Sequence, residues 1–458
     1  MSTLQWNRDA AAHLLRRAAF GGTPAEIDAL TALGFEGAVS RLVDYDGIDA
    51  SAYEAALAAR GYNLLNQRGL QQWFLDRMAN SPRRLEEKMT YFWNLHWTSG
   101  LTKVRGETLI ANQNRTQRTH AVGRFDDMVV KMSQDPAMLV WLDNWLNKAA
   151  KPNENYAREL MELFTLGIGN YSQDDVTAVA RSLTGWTVAG YRRSDHYNGA
   201  TFAIDAAVHD GGTKTILGRT GPWSGTEAID IILNHSDARG SVSGRFLGGK
   251  LWSFFAYENP PDFIVDQLAA VYVSSGRVLR EVLRAIFSSP EFYEPHARKS
   301  LVRSPVEYSV ASIRMLESTS DYASAAASLD GMSQDLFDPE DAKGWDWGLA
   351  WMNTGTLFNR ATLANTLASN RGSSGTRFNP EALLAGRPAS TADEVVGIFS
   401  ERLNVADVAP AIRGGWIDYM NTDDAGQRLT WTNTPANVDR KVRGLVHLML
   451  TSPAFQFA

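Results

Sequence analysis

Pro152-Asn153-Glu154-Asn155-Tyr156-Ala157-Arg158-Glu159-Leu160-Met161-Glu162-Leu163-Phe164-Thr165-Leu166-Gly167 is the stretch whose reading decides the fold class. On a wheel of ~100° per residue, Tyr156, Ala157, Leu160, Met161, Leu163 and Phe164 share one broad apolar face. Glu154, Asn155, Arg158, Glu159 and Glu162 share the other. Proline suits a first helical turn and glycine suits a helix end. The pattern therefore predicts one amphipathic helix opened by Pro152 and ended by Gly167.

The same signals recur outward in both directions. Thr23, Pro24 and Glu26 form a capping-box start, followed by Ile27, Leu30 and Leu33 at helical spacing. Ser81-Pro82 predicts a helix carrying Leu85, Met89, Phe92, Trp93 and His96 on one side. Ser172 with Asp175 caps another, which ends at Gly185. Helices are further expected near 225–235, 243–257, 261–274, 277–288, 304–317, 355–369, 392–403 and 439–451. Between Trp186 and Gly221 the composition shifts to Gly, Thr, Val and aromatics. Short strands are expected there at Thr201–Ile204 and Thr213–Leu217. The segment 370–391 reads as an exposed loop. The predicted architecture is mainly α: a compact multi-helical single domain over 1–458, with a small β-hairpin or extended insertion near 186–221.

A weak internal repeat relates Leu279-Arg280 through Ser289-Pro290 to Val442-Arg443 through Ser452-Pro453. Val282, Leu283, Ile286 and Phe287 match Leu445, Val446, Met449 and Leu450. Proline biases the residue before it away from helical geometry, so each Ser-Pro should lie just past a helix end.

Composition narrows the function. Among 458 residues, 44% are hydrophobic and 21% charged, which fits a globular chain rather than a disordered one. The net charge of −6 argues against a nucleic-acid partner, which needs a basic face. The absence of cysteine rules out disulfides, thiol nucleophiles and thiolate metal sites. No metal site and no cofactor is predicted. No apolar run reaches ~18 residues, so no transmembrane helix is expected. Met1–Asp9 lacks a basic segment followed by an apolar one, which makes the cytoplasm the default expectation.

Four clusters are candidates for chemistry. Glu159 lies at the border of its apolar face, where partial burial would raise its pKa beside an ionised Glu162. Such a pair can do acid–base work, although Glu154, Arg158 and Glu162 also read as a salt-bridged face. Asp143, Asn144, Asn147, Asn153 and Asn155 are a dense set of short polar side chains. They suit either helix capping or binding of sugar hydroxyls. His96 stands among aromatics, and His209-Asp210 precedes Gly211-Gly212. Each histidine reads as a structural anchor or as a proton carrier. Trp345, Asp346, Trp347 and Trp351 follow Lys343-Gly344, which predicts a tight turn. Indoles stack on sugar rings, and Asp346 would supply a carboxylate.

Several strings are more particular than generic helix. They are His13-Leu14-Leu15-Arg16-Arg17-Ala18-Ala19-Phe20-Gly21, Lys88-Met89-Thr90-Tyr91-Phe92-Trp93-Asn94-Leu95-His96, the opening Pro152–Gly167 stretch and Ala180-Arg181-Ser182-Leu183-Thr184-Gly185-Trp186. His209-Asp210, Lys214-Thr215-Ile216-Leu217-Gly218, Lys250-Leu251-Trp252 and Lys343-Gly344-Trp345 follow. In this order the chain resembles the bacterial family called domain of unknown function 1800, from about Asn7 to Ser452-Pro453. The resemblance implies no activity. It does imply a common genomic neighbour, a sulfatase-like family of secreted proteins. One departure is Asn94, where the family often has a further histidine, which argues against a two-histidine metal pair here.

The sequence thus predicts a carbohydrate-active enzyme, a glycan hydrolase. Glu159, Glu162 and Asp346 are its candidate catalytic carboxylates. Asp143, Asn144, Asn155, Arg158, Trp345, Trp347, His96 and His209 are its candidate substrate contacts. A non-catalytic binding or assembly protein is the first alternative. A metal-dependent enzyme with His and Glu ligands is the second.

Overall fold

The computed structural model describes residues 5–192, 197 and 199–458. It is mainly helical, with a few short antiparallel strand pairs. The expected caps form. Thr23 accepts from the Glu26 N–H while the Glu26 carboxylate accepts from the Thr23 N–H, and Ser172 and Asp175 do the same. Each reciprocal pair satisfies two donors that a helix start leaves orphaned.

Helices Gly225–Leu233, Val242–Phe255, Asp262–Ser274, Leu279–Ser288, Pro305–Met315, Thr354–Ser369 and Ala392–Arg402 lie where periodicity placed them. Val242–Phe255 packs closely on Asp262–Ser274. The contact needs glycine on one side. A Cβ on Gly244 would sit 2.9 Å from the Tyr272 ring, and one on Gly248 would sit 3.0 Å from Leu268 Cβ. Both Ser-Pro pairs end helices as expected, with Ser289 and Ser452 as the C-caps. All eight apolar residues matched in the repeat are buried.

The boundaries differ at several places. The Ser81-Pro82 helix begins later, at Arg84, because the Ser81 N–H is spent capping the preceding helix through Arg77 O. The insertion holds two hairpins, Trp186–Ala189 with Thr201–Ile204 and Lys214–Ile216 with Arg219–Gly221. A further two-residue pair, Ser236–Asp237 with Gly240–Ser241, follows outside it. The 370–391 segment contains one short helix, Pro380–Leu384, capped by Asn379.

The decisive stretch departs most. Asn147 Oδ1 accepts from the Asn153 N–H at 2.8 Å, and Asn153 Nδ2 donates to Asp143 O at 3.2 Å. These bonds hold Pro152 and Asn153 in a loop, and the helix begins at Asn155. After Glu159 it widens into a π turn, Leu160–Thr165. The Leu166 N–H reaches back five residues to Met161 O at 2.9 Å, and Thr165 Oγ1 takes Leu160 O at 2.5 Å. Gly167 then breaks the helix at φ +81°. Tyr156, Ala157, Leu160, Met161 and Phe164 are buried, as the apolar face requires. No helix among the described residues is long and apolar enough to cross a membrane.

Candidate functional site

The π turn matters because of which carbonyls it leaves free. The last carbonyls of a helix have no partner within it. Here side chains from two other helices take them. Lys250 Nζ donates to Leu163 O at 3.2 Å, and His96 Nε2 contacts Phe164 O at 3.1 Å. Lys250 comes from helix Val242–Phe255 and His96 from helix Arg84–His96. Three of the particular strings of the sequence therefore meet at one helix end.

In front of them lies a cavity of about 560 Å³. Its rings are Tyr91, Phe92, Phe246, Phe254, Trp347 and Trp351, and its polar side chains are Lys250, Ser253, Glu258, Asn259, Ser304 and Glu307. Tyr91 is held rigidly. Its hydroxyl donates to Ser304 Oγ at 2.7 Å and accepts from Gln334 Nε2 at 2.8 Å. Ser304 and Glu307 form the capping box of helix Pro305–Met315. Glu307 also pairs with the buried Lys88 ammonium. Lys88 Nζ sits 4.6 Å from the Phe20 ring centroid and 4.9 Å from that of Phe254. Burial alone would raise the Glu307 carboxyl, but Lys88 and the Ser304 bonds bring it below its usual range, so it is ionised at neutral pH. Burial lowers Lys88 against the opposing pull of Glu307.

Lys250 has no such partner. Among the described residues no carboxylate pairs with it, and burial pulls its ammonium down to about 8. Its Nζ lies 5.0 Å from the Phe246 ring centroid. His96 is sealed among Phe92, Trp93, Trp97, Phe164 and Phe246. Burial, then Lys250, hold it well below its ordinary pKa, so it is neutral.

The tryptophan segment divides. Trp345 and Trp351 are buried, while Trp347 is 48% exposed and lines the cavity mouth. Trp347 meets Trp351 at 5.8 Å and Phe254 at 6.1 Å, the latter edge to face. Gly344 makes the expected turn at φ +92°, where its backbone lies against Thr98. Asp346 is exposed rather than enclosed between the indoles.

The remaining predicted residues lie elsewhere. Burial, then Glu162, raise the Glu159 carboxyl, with smaller influences from Arg158, Lys343 and Asp341. The Glu159 helix therefore neighbours the 341–344 turn. Glu162 accepts from Tyr171 Oη at 2.7 Å. Arg158 bridges to Glu154 and donates to Gln173. Asp143 adopts φ +60° and pairs with Lys103 at 2.8 Å. Asn144 Oδ1 accepts from Asn147, and Asn155 Nδ2 donates to Leu142 O. His209 Nδ1 lies 2.8 Å from Thr184 O, while Asp210 pairs with Arg181. Of the predicted carboxylates, amides and histidines, none lines the cavity. Among the described residues, no group of three His, Asp or Glu side chains is arranged to hold a metal ion.

Sequence reasoning did not single out Lys88, Lys250, Glu258 or Glu307 for chemistry. A signal existed for Lys88: it falls within the apolar periodicity of Leu85, Met89 and Phe92, where a lysine is out of place.

Comparison with curated proteins gives no match, and neither does comparison with solved structures. The model of the family described as "Protein of unknown function (DUF1800)" matches residues 13–457, nearly the whole chain, and so this chain belongs to that family.

Proposed function

We propose that this protein binds a carbohydrate ring in the aromatic cavity. The observation that carries the reading is Trp347. A core indole is sealed, as Trp345 and Trp351 are. Trp347 instead stands half-exposed at the mouth of a cavity whose walls mix rings with hydroxyl, amide and carboxylate groups. That combination suits a ligand with one apolar face and a rim of hydroxyls. The test is a glycan array followed by titration of Trp347→Ala. Affinity should fall at least ~10-fold, with the melting temperature within a few degrees of the parent, because a half-exposed ring adds little to the core. A variant that binds every glycan as well as the parent would reject the reading, as would an array without hits.

A second reading, the glycan hydrolase, is favoured by one observation. Burial and the neighbouring Glu162 raise the Glu159 carboxyl, as suits a general acid. Glu159→Gln should then abolish release of reducing ends with little change in melting temperature. Full activity in that variant would remove Glu159 from the machinery. Binding is the better supported of the two, because Glu159 and Glu162 lie outside the cavity lining.

A further inference from the structure

We infer that the bound sugar is acidic and that Lys250 is the charge partner of its carboxylate or sulfate. This rests on the carbohydrate reading above and names the ligand class. Lys250 has no countercharge on the inner wall among the described residues. Lys250 lines the cavity, partly buried, and among the described residues its one polar contact is the Leu163 carbonyl. Lys88 lies behind the wall, and Arg17 and Arg303 are close enough to act on its charge. Both arginines are buried and remain cationic. The carboxylate that acts on these three, the partly buried Glu307, is already occupied by Lys88, and among the described residues none pairs with Lys250. His96 is neutral and contributes no compensation.

The mouth has the opposite sign. Glu258 is exposed there, with its carboxylate over the Gly348 backbone. Buried charges are ordinarily paired, because an unpaired one is costly to remove from water. The negative end of the Asn155–Thr165 helix compensates Lys250 only in part, since its terminal carbonyls carry about half a charge. A ligand oxyanion would complete the compensation. The placement also sets the orientation: the ring against Trp347 at the mouth, the acid group inward toward Lys250.

The experiment titrates the full chain with glucose, glucuronate and glucose 6-sulfate, read by ligand-observed NMR and calorimetry. At least one anionic sugar should bind ~10-fold or more tightly than glucose. Raising salt from about 50 to 300 mM should erode that preference and leave glucose affinity unchanged. Lys250→Met should abolish the preference and Lys250→Arg should retain it. Should Lys250→Met not fold, the wild-type preference and its retention in Lys250→Arg still decide the matter. Equal affinity for glucose and both anions, or a preference that survives in Lys250→Met, would overturn the acidic assignment while leaving the cavity reading intact. Failure of all three sugars to bind would reject both.

Discussion

Two polar clusters in this molecule look alike in sequence and differ in how their polar atoms are used. In the 143–155 loop, amides bond to backbone and to one another. Asn147 Nδ2 donates to Ala180 O at 2.8 Å and to Asn144 Oδ1 at 3.1 Å, while its Oδ1 takes the Asn153 N–H. Asn153 and Asn155 hold Asp143 O and Leu142 O. Among the described residues, no buried side-chain polar atom of this loop lacks a partner. Around the cavity, by contrast, one ion pair is closed, one lysine meets a carbonyl and no carboxylate among the described residues, and one indole is half-open to solvent. A dense run of polar residues is thus weak evidence of a site. Polar groups whose partners fall short of their charge are stronger evidence.

Three measurements would sharpen or break this contrast. The largest effect is expected at Glu307. Glu307→Gln leaves the Lys88 ammonium buried without a countercharge, and the rings of Phe20 and Phe254 do not replace a carboxylate. Breaking such a pair from one side costs about 3–5 kcal/mol in urea unfolding. The double variant Lys88→Met, Glu307→Gln should recover much of the loss. A single-variant loss under ~1 kcal/mol would mean that the cavity charges are as self-contained as the amide loop.

Asp135 is an intermediate case, hydrogen-bonded but without a cation. Its Oδ1 accepts from Gln113 Nε2 at 2.8 Å and from the Met138 N–H at 3.0 Å, and burial raises its carboxyl to about 7. The folded state therefore binds a proton that the unfolded chain, with a pKa near 3.9, has lost. Its contribution to stability is complete below about pH 4 and is lost as pH rises toward 7. Asp135→Asn keeps an acceptor oxygen and removes the titration. The variant should gain on the parent between pH 5 and pH 8, by on the order of 2 kcal/mol. Parallel stability curves across that range would show that Asp135 is already ionised in the folded protein.

The smallest effect on ligand affinity belongs to the amide loop. Asn147→Ala strands the Ala180 carbonyl and the Asn153 N–H, at a cost of about 1–3 kcal/mol. Ligand affinity should not change. A loss of binding that exceeds the loss of stability would return this loop to the list of candidate sites.

The helical architecture was largely legible because its signals are local. Capping boxes, Ser-Pro stops and apolar periodicity each act within one or two turns, and helices such as Asp262–Ser274 fall within a residue or two of their predicted ends. The late start at Asn155 was not legible, because Pro152 is a good first-turn residue and the bonds that hold it in a loop come from Asn147 and Asp143. The site was legible in part. Of the sequence candidates Trp347 lines the cavity, whereas His96 is sealed behind it against the lining ring of Phe246. Glu307 and Lys250 were not among the candidates, since a capping glutamate and a lysine before an apolar pair look ordinary until helices far apart in the chain bring them together. The predicted carboxylates were chosen for their residue type, and type does not report which face a neighbouring helix leaves open.

The π turn has a consequence for how this chain tolerates change in length. A π turn amounts to one residue more than an α-helix needs over the same rise. Remove one residue between Leu160 and Thr165, and the helix returns to its ordinary pitch. The helix beyond the cut keeps nearly its orientation, and what is lost is the widened turn itself with the carbonyls it leaves free. The Leu163 and Phe164 carbonyls would then no longer face Lys250 and His96 together, although every apolar residue outside the cut keeps its identity. The extra residue acts as a phase adjuster. It lets one helix keep its apolar face in the core while two successive carbonyls face different neighbours. Point substitutions at the half-buried Glu162 and Leu163 should be absorbed, whereas a single deletion should disturb the cavity wall on the neighbouring helix.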